Sequence, residues 1–472
     1  MERRTFVQKA GLLTAALFSG KLTSFAAEGD FPLVRKAVEL RRFSSKAVEN
    51  AIGDFNTKVK NKEFSWLFSN CFPNTLDLCV TYGAVDGKPD TYVSGGEVDA
   101  MWLRDSSMQV WPYLSFLRRD KPLKDMVAGV INRQVKYILK DPYGSSFYND
   151  PMKVSEFKDD LTNMLPGVHE RKWEIDSLCY PIRLAYRYWQ QTKDTSPFNA
   201  AWQDAMKLIL KTFKEQQRKS GDGTYHFQRN TAWATDSLPM QGYGYPVNPV
   251  GLICSAFRPS EDATVFSFLV PSNFFAVVSL RQAAELFRMV KGDEQVAKDM
   301  EAMALEIRQA LQKYAIVDTE AFGKVFAYEV NGFGSYNLMD EACVPSLLAL
   351  PYLGAVSMSD PIYLNTKKML LSPANPFYYK GKVAAGTGGA HIGKNMVWPM
   401  SIIVRALTTT DTEEIKVCLE MLRTSHADTG FIHESFNVDN PKQYTRAVYP
   451  AVNVMFGELL WKTYQERPEL LA

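Results

Sequence analysis

The sequence has little of what builds disulfide scaffolds or thiol-based sites. Only six cysteines occur in 472 residues, and none of them forms a CxxC pair. That count excludes a disulfide-stapled scaffold, a zinc ribbon and a thioredoxin-like redox site. Cys71 and Cys79 are close enough in the chain to bridge in an oxidising compartment. For most of the six, we expect burial as small apolar side chains.

Histidine is also scarce, and the familiar catalytic motifs are missing. The five histidines show neither an HExxH motif nor the paired spacing of zinc ligands, and no G-x-S-x-G sequence occurs. These absences disfavour zinc proteases and serine hydrolases. Residues 388–395 nearly match a phosphate-binding P-loop, but Asn395 stands where Ser or Thr would hold Mg²⁺. We therefore expect no metal and no nucleotide cofactor.

Charge of one sign and long apolar runs are lacking too. The formal net charge is +2, and the positive excess lies in the first 26 residues, without a Lys/Arg run elsewhere. A near-neutral body lacks the basic footprint that nucleic-acid binding needs. After residue 30 no segment reaches 18 uninterrupted apolar residues. We therefore predict neither a nucleic-acid partner nor a membrane span in the mature chain.

The first 27 residues have the pattern of an export signal. Arg3 and Arg4 precede a short apolar stretch, and small residues lead to Ala26 and Ala27, where cleavage is expected. The arginine pair resembles a twin-arginine signal, although an ordinary Sec signal with a chance pair is the alternative. The sequence predicts an exported, periplasmic protein with one catalytic domain over residues 28–472.

The body of the chain shows helical periodicity over most of its length. Between Asp293 and Tyr314, for example, apolar residues recur at steps of three and four. Strand patterns are few and short, the best lying over residues 224–228 and 324–330. About a dozen helices without a composition break favour an all-α toroid of paired helices, with short β elements in its loops. Helices are predicted over residues 32–60, 106–118, 122–140, 174–191, 198–217, 273–290, 293–314, 359–371, 395–409, 411–424 and 446–465.

Carboxylates occur in four segments rich in aromatic residues, glycine or proline. These segments are residues 95–106, 172–177, 256–263 and 428–436. Aromatic faces stack on the C–H faces of sugars, and carboxylates accept hydrogen bonds from sugar hydroxyls. The four segments together therefore indicate a carbohydrate site.

Each acidic residue also has a structural alternative. Trp102, Arg104 and Asp105 can grip a sugar as wall, donor and acceptor, but Asp105 could instead cap the next helix beside a structural Arg104. Glu261 or Asp262 could likewise cap a helix, and Glu434 could be a surface acid.

Taken together, these segments resemble glycoside hydrolase family 125, the exo-acting α-1,6-mannosidases found in many bacteria. The resemblance runs from about residue 32 to residue 465. It implies an (α/α)6 barrel, a pocket for one terminal mannose, metal-independent hydrolysis and inversion at the anomeric carbon. The implied substrate is a mannose-containing oligosaccharide or N-glycan. The most specific segments are residues 97–111, 173–188, 256–275, 386–399 and 430–457.

By motif position, the resemblance implies that Asp262 is the general acid and Glu434 the general base. Two aspartates are expected after Arg258-Pro259-Ser260, but this chain has Glu261 followed by Asp262. A shift of one residue would make Glu261 the acid. Inversion requires carboxyls about 6.5–9.5 Å apart. The acid also needs a raised pKa, which we expect from burial near aromatics or from the neighbouring Glu261 charge.

The remaining candidates would hold the sugar or support the base. His433 adjoins Glu434 and is expected to help keep it ionised. The residues predicted to bind substrate are Trp102, Arg104, Asp105, Arg258, His391 and His433.

Two other classes of function fit parts of the pattern. A non-catalytic glycan-binding protein would use the same aromatics without requiring both Asp262 and Glu434. A polysaccharide lyase on a similar helical toroid would need a basic groove for uronates, which the near-neutral charge disfavours.

Overall fold

A computed structural model describes residues 31–472, so the export signal predicted over residues 1–27 lies outside the described part. Within that part the chain is mostly helical. The α-helices are α1 (Lys46–Lys58), α2 (Lys62–Cys71), α3 (Asn74–Leu78), α4 (Leu103–Val110), α5 (Lys121–Lys140), α6 (Ile175–Thr192), α7 (Ala200–Gln216), α8 (Val270–Met289), α9 (Glu294–Tyr314), α10 (Pro361–Leu370), α11 (Pro399–Leu407), α12 (Thr412–Arg423) and α13 (Pro450–Glu466).

Local sequence explains where many of these helices begin. Asp120, Asn199, Asp293 and Asp411 each accept a hydrogen bond from a backbone N–H in the first turn of α5, α7, α9 and α12. Helices α8, α11 and α13 instead begin with proline in the first turn, where its missing N–H costs no hydrogen bond.

The helix prediction was wrong near the N-terminus. Residues 32–45 contain only a 3₁₀ turn at Val38–Leu40, and α1 begins at Lys46 after the capping Ser45. The preceding stretch is held instead by Arg35, whose side chain pairs with Glu49 and Asp77. Its apolar side chains at Leu33, Val38 and Leu40 are exposed, so their spacing reflects no buried helix face.

The predicted helix over residues 106–118 is shorter than expected. Helix α4 starts earlier, at Leu103, and gives way to a 3₁₀ helix over Trp111–Phe116, in which Pro112 cannot supply an α-helical N–H. The sequence patterns also missed α2 and α3, which are separated by Phe72 and Pro73.

The strands are short and antiparallel, in sheets of two or three. The predicted strand over residues 224–228 is wrong, since only a single bridge joins Gln228 to Leu161. The predicted strand over residues 324–330 is divided into two strands, Gly323–Phe326 and Glu329–Val330. The strands are β1 (Val80–Val85), β2 (Lys88–Val93), β3 (Met101–Trp102), β4 (Ser146–Phe147), β5 (Val168–Glu170), β6 (Phe268–Leu269), β7 (Ile316–Thr319), β8 (Gly323–Phe326), β9 (Glu329–Val330), β10 (Tyr336–Asn337), β11 (Tyr378–Lys380), β12 (Ala385–Thr387), β13 (Met396–Val397), β14 (Ser435–Asn437) and β15 (Asn440–Thr445).

Helix packing places several N-termini at one end of the molecule. The buried helix α6 packs between α4 and α8, while α5 packs on α7 and α9 packs on α8. Helix α13 packs on α4 and α11, which brings the C-terminal part of the chain against the N-terminal part. Each of α4, α8 and α11 directly follows a two-residue strand or the residue after it. The loops before these helices therefore meet and build the site.

Residues 31–472 contain no disulfide, no candidate metal cluster and no candidate membrane-spanning helix. All six cysteines are free and buried, so Cys71 and Cys79 are not bridged. Within residues 31–472, no three His, Cys, Asp or Glu side chains are grouped so as to hold a metal ion. The same range has no helix of sufficient length and apolar character to cross a membrane.

Candidate active site

A cavity with an empty volume of about 650 Å³, including its mouth, lies at the N-terminal ends of α4, α11 and α13. Aromatic and charged side chains from distant parts of the chain line it. They include Trp102, Arg104, Asp105, Glu261, His391, Trp398, Glu434, Arg446 and Tyr449. The structure thus brings together five of the residues predicted from the sequence: Trp102, Arg104, Asp105, His391 and Glu434.

Trp102 forms one wall of the cavity and contacts a carboxylate across it. It is the last residue before α4, and its indole Nε1 donates to Oε1 of Glu261 at 2.7 Å. Glu261 lies in the loop between α7 and β6 and has a left-handed backbone with φ of 65°. A residue with a Cβ adopts that conformation only when its surroundings hold it there. Of the two acidic residues in this loop, Glu261 is the one that lines the cavity.

Asp262, the predicted general acid, points elsewhere. Its carboxylate is buried and Oδ2 lies 2.8 Å from Nδ1 of His391, while Asp262 does not line the cavity. Burial acts to raise its pKa, but hydrogen bonds from His391 and Thr235 and the charges of His391 and Lys172 together hold the pKa below its usual value. The expectation of a raised pKa for Asp262 was therefore wrong. His391, in contrast, lines the cavity.

Arg104 is anchored by two buried carboxylates at the start of α6. Its Nη1 lies 2.7 Å from Glu174 and 3.0 Å from Asp176, and its Nε lies 3.4 Å from Asp105. Burial raises the pKa of Glu174 and of Asp176, despite the opposing charge of Arg104. The guanidinium consequently has a fixed place in the cavity wall.

Asp105 belongs to the cavity and does not cap a helix. It lies in the first turn of α4, whose N-cap is Trp102 and has no side-chain capping bond. Asp105 accepts a long hydrogen bond of 3.4 Å from the hydroxyl of Tyr449, and burial raises the pKa of its carboxyl. A carboxylate at a helix N-terminus also lies in the favourable field of the helix dipole. The capping alternative for Asp105 thus fails.

Glu434 faces the cavity beside a cation that sequence reasoning missed. Arg446 Nε lies 3.3 Å from Glu434 Oε1, and the Glu434 charge is the largest contribution to the raised pKa of Arg446. The two residues meet because β14 and β15 form a hairpin that begins after Glu434 and ends before Arg446. Both positions lie in the segment 430–457, but hairpin pairing could not be read from its spacing.

Arg258 and His433 lie behind the cavity, so the structure gives no support to their predicted sugar contacts. Arg258 is buried and donates to Glu329 and Glu341, each at 2.7 Å. His433 faces the carbonyls of Ala447 and His426 and stacks on Tyr444 at 3.7 Å. Burial lowers its pKa to about 4, against the two carbonyls that favour the charged form. The cationic neighbour of Glu434 is therefore Arg446, not His433.

Comparison with known proteins gives a family match over most of the chain. A family model described as metal-independent α-mannosidase (GH125) matches residues 61–461. The meiotically up-regulated gene 157 protein of Schizosaccharomyces pombe is 40% identical over 458 residues, which span 93% of this chain and 90% of that protein.

Solved structures match the chain at two levels of similarity. An α-mannosidase of Streptococcus pneumoniae, in a non-productive complex with α-1,6-mannobiose, has a TM-score of 0.87 at 37% identity. The match covers 90% of this chain and 100% of that one. A glucoamylase of Saccharomycopsis fibuligera has a TM-score of 0.50 at 12% identity, over 93% of this chain and 99% of that one, which is a likeness of fold alone.

Proposed function

The chain belongs to glycoside hydrolase family 125, the metal-independent α-mannosidases, and on that premise we propose that it is an exo-acting, inverting α-1,6-mannosidase. The observation that carries this proposal is the presence of Glu261 and Glu434 in the lining of one cavity, beside Trp102. Glycoside hydrolysis by inversion needs two carboxyl groups that flank the scissile bond, one as acid and one as base.

Glu434 is the proposed general base. It takes a proton from a water molecule as the oxygen of that water attacks the anomeric carbon. Arg446 Nε lies 3.3 Å from its Oε1, so a cation is adjacent to the proposed base.

Glu261 is the proposed general acid, in place of the Asp262 that motif position implies. Its carboxyl lines the cavity, where it can give a proton to the leaving glycosidic oxygen, whereas Asp262 is turned to His391. The first of the two aspartates expected after Arg258-Pro259-Ser260 is replaced by Glu261 in this chain, and it is Glu261 that lines the cavity.

The shape of the cavity supports exo action. A pocket closed by Trp102, Trp398 and Tyr449 accepts a chain end more readily than the middle of a chain. Arg104 and Asp105 supply a donor and an acceptor for the hydroxyls of the terminal sugar. The α-1,6 linkage is supported by the relative from Streptococcus pneumoniae, which was solved with α-1,6-mannobiose.

Substrate source, location and architecture complete the proposal. The solved relative is described in connection with the processing of N-linked glycans, which supports a mannose-containing oligosaccharide or N-glycan as substrate. The pattern of residues 1–27 supports export to the periplasm. The side-by-side packing of α4, α6 and α8, with α13 on α4, supports an (α/α)6 barrel.

The proposal is tested by hydrolysis of two disaccharides. Purified protein is incubated with α-1,6-mannobiose and with α-1,2-mannobiose, with and without EDTA, and free mannose is measured. We expect release from the α-1,6 isomer at the same rate in both buffers. Binding without release would favour a glycan-binding protein, and loss of activity in EDTA that Ca²⁺ restores would contradict the metal-independent mechanism.

A further inference from the structure

A fully buried lysine lies directly beneath the loop that carries Glu261. Lys172 is inaccessible to solvent, and its Nζ lies 2.6 Å from Asp236 Oδ1 and 3.6 Å from Glu170 Oε1. The ammonium also lies 5.2 Å from the centroid of the Phe257 ring. Burying a lysine side chain costs free energy unless its charge is paired. Asp236 and Glu170 pair with the Lys172 ammonium, which also donates a hydrogen bond to the loop of Glu261.

The third donor position of Lys172 is directed at the backbone of Glu261. Nζ donates to the Glu261 carbonyl oxygen at 3.2 Å. This is the residue whose φ of 65° falls in the left-handed region, where a side chain with a Cβ is unfavourable. The same residue receives the indole hydrogen bond of Trp102 at its carboxylate. Main chain and side chain of Glu261 are thus held from two sides.

Other hydrogen bonds of the loop set its turn. Glu261 N donates to the Arg258 carbonyl and Arg258 N donates to the Asp262 carbonyl, both at 2.8 Å. Ser260 Oγ donates to Glu341 at 2.6 Å. These bonds close the turn around Glu261 and leave the Glu261 carbonyl directed at Lys172.

We propose that Lys172 is a positioning residue that holds the Glu261 backbone so that its carboxyl faces the leaving oxygen. This inference rests on the proposed function, in which Glu261 is the proton donor. Lys172 lies in the short segment between β5 and α6. Glu174 lies in the same segment and forms an ion pair with Arg104. One segment therefore fixes both the sugar-binding arginine and the acid.

The test compares two leaving groups in Lys172→Met. An α-1,6-mannobiose leaving group needs protonation, whereas 2,4-dinitrophenolate does not. If Lys172 positions the acid, kcat for mannobiose should fall about tenfold or more, and kcat for the dinitrophenyl α-mannoside should fall clearly less. Lys172→Arg, which keeps the cation, should recover part of the ratio between the two substrates. Equal losses on both substrates would overturn the proposal.

Arg171→Met is the matched control. Arg171 is the adjacent buried cation, but its contacts are with Asp141 at 2.7 Å and Thr162 at 2.9 Å. Its loss breaks a buried ion pair of similar kind, and we expect both substrates to slow by the same factor. The same change of ratio in this control would also overturn the proposal.

A crystal structure of the variant separates this inference from the proposed function. Lys172→Gln, which is neutral and shorter, carries the same tests if Lys172→Met does not fold, since Arg229 still contacts Asp236 at 3.3 Å. We expect Glu261 to leave the left-handed region or to lose its bond to Trp102. An unchanged Glu261 contradicts the positioning role even if the wild type proves not to be an α-1,6-mannosidase.

Discussion

The indole Nε1 of Trp102 donates a 2.7 Å hydrogen bond to Oε1 of Glu261, which joins the aromatic wall of the cavity to the carboxyl proposed as the acid. The two residues are 159 positions apart in the chain. This bond fixes one carboxylate oxygen of Glu261 against the indole. The position of the proposed acid therefore depends on Trp102, and we expect substitutions in the loop of Glu261 to lower the rate of hydrolysis.

The first prediction distinguishes Glu261 from Asp262. Glu261→Gln removes the proton donor, so hydrolysis of α-1,6-mannobiose should fall by about 10²–10⁴-fold. An aryl mannoside with a good leaving group should retain clearly more activity, because it needs little protonation. Asp262→Asn should slow both substrates by a similar and smaller factor. Steady-state kinetics on the two substrates measure this, and the reverse pattern would restore Asp262 as the acid.

The second prediction concerns the base. Glu434→Gln keeps the shape of the side chain but cannot take a proton from water. Activity should therefore fall by about 10²–10⁴-fold for good and poor leaving groups alike. The thermal transition should change little, since Glu434 lines the cavity. A variant that loses activity only with poor leaving groups would show that Glu434 acts as the acid instead.

The third prediction concerns the grip on the sugar. Asp105→Ala removes an acceptor for sugar hydroxyls, while Arg104 keeps Glu174 and Asp176 as partners. An unpaired sugar or protein polar group costs about 1–3 kcal/mol, so activity should fall about tenfold or more. Tyr449→Phe is the control, since it removes the hydroxyl that contacts Asp105 but keeps the carboxylate. Failure of Asp105→Ala to fold would give Asp105 a structural role.

The helices with strong periodicity could be predicted closely from the sequence. The expected helices over residues 122–140 and 293–314 are observed at Lys121–Lys140 and Glu294–Tyr314. Their stripes of apolar residues are buried, and a capping Asp precedes each of them. The same reasoning is wrong for residues 32–45. Leu33, Val38 and Leu40 are exposed there, and Arg35 holds the segment by pairing with Glu49 and Asp77.

The sequence predicts which segments build the cavity more accurately than which residue of each segment faces it. Glu261 lines the cavity while the adjacent Asp262 contacts His391, and the left-handed backbone at Glu261 between them is not encoded in any side-chain pattern. Arg446 reaches Glu434 only through the β14–β15 hairpin. His433 adjoins Glu434 in the sequence, but its ring faces the carbonyls of Ala447 and His426 whereas Glu434 lines the cavity.

The fourth prediction follows from the lowered pKa of His433. The folded value is about 4, whereas the unfolded value is about 6.5. Between these pH values the unfolded state binds more protons, so stability falls as the pH is lowered from 6.5 to 4. The full contribution of this group is about 3 kcal/mol.

His433→Gln should flatten this part of the profile. Thermal unfolding measured every half pH unit would show a smaller slope between pH 4 and pH 6.5 than in the wild type. The variant should retain hydrolysis, because His433 faces backbone carbonyls behind the cavity. An unchanged slope would mean that His433 titrates near its ordinary pKa.

The last prediction concerns stereochemistry. If Glu434 activates water on the face opposite the leaving oxygen, the first product from an α-mannoside is β-mannose, formed by a single displacement. Proton NMR during early turnover should show the β anomer before mutarotation produces the α anomer. Retention would require a nucleophilic carboxylate and a pair only about 5–5.5 Å apart, with Glu434 attacking the sugar directly. First appearance of α-mannose would therefore contradict both the inverting mechanism and the role of Glu434 as base.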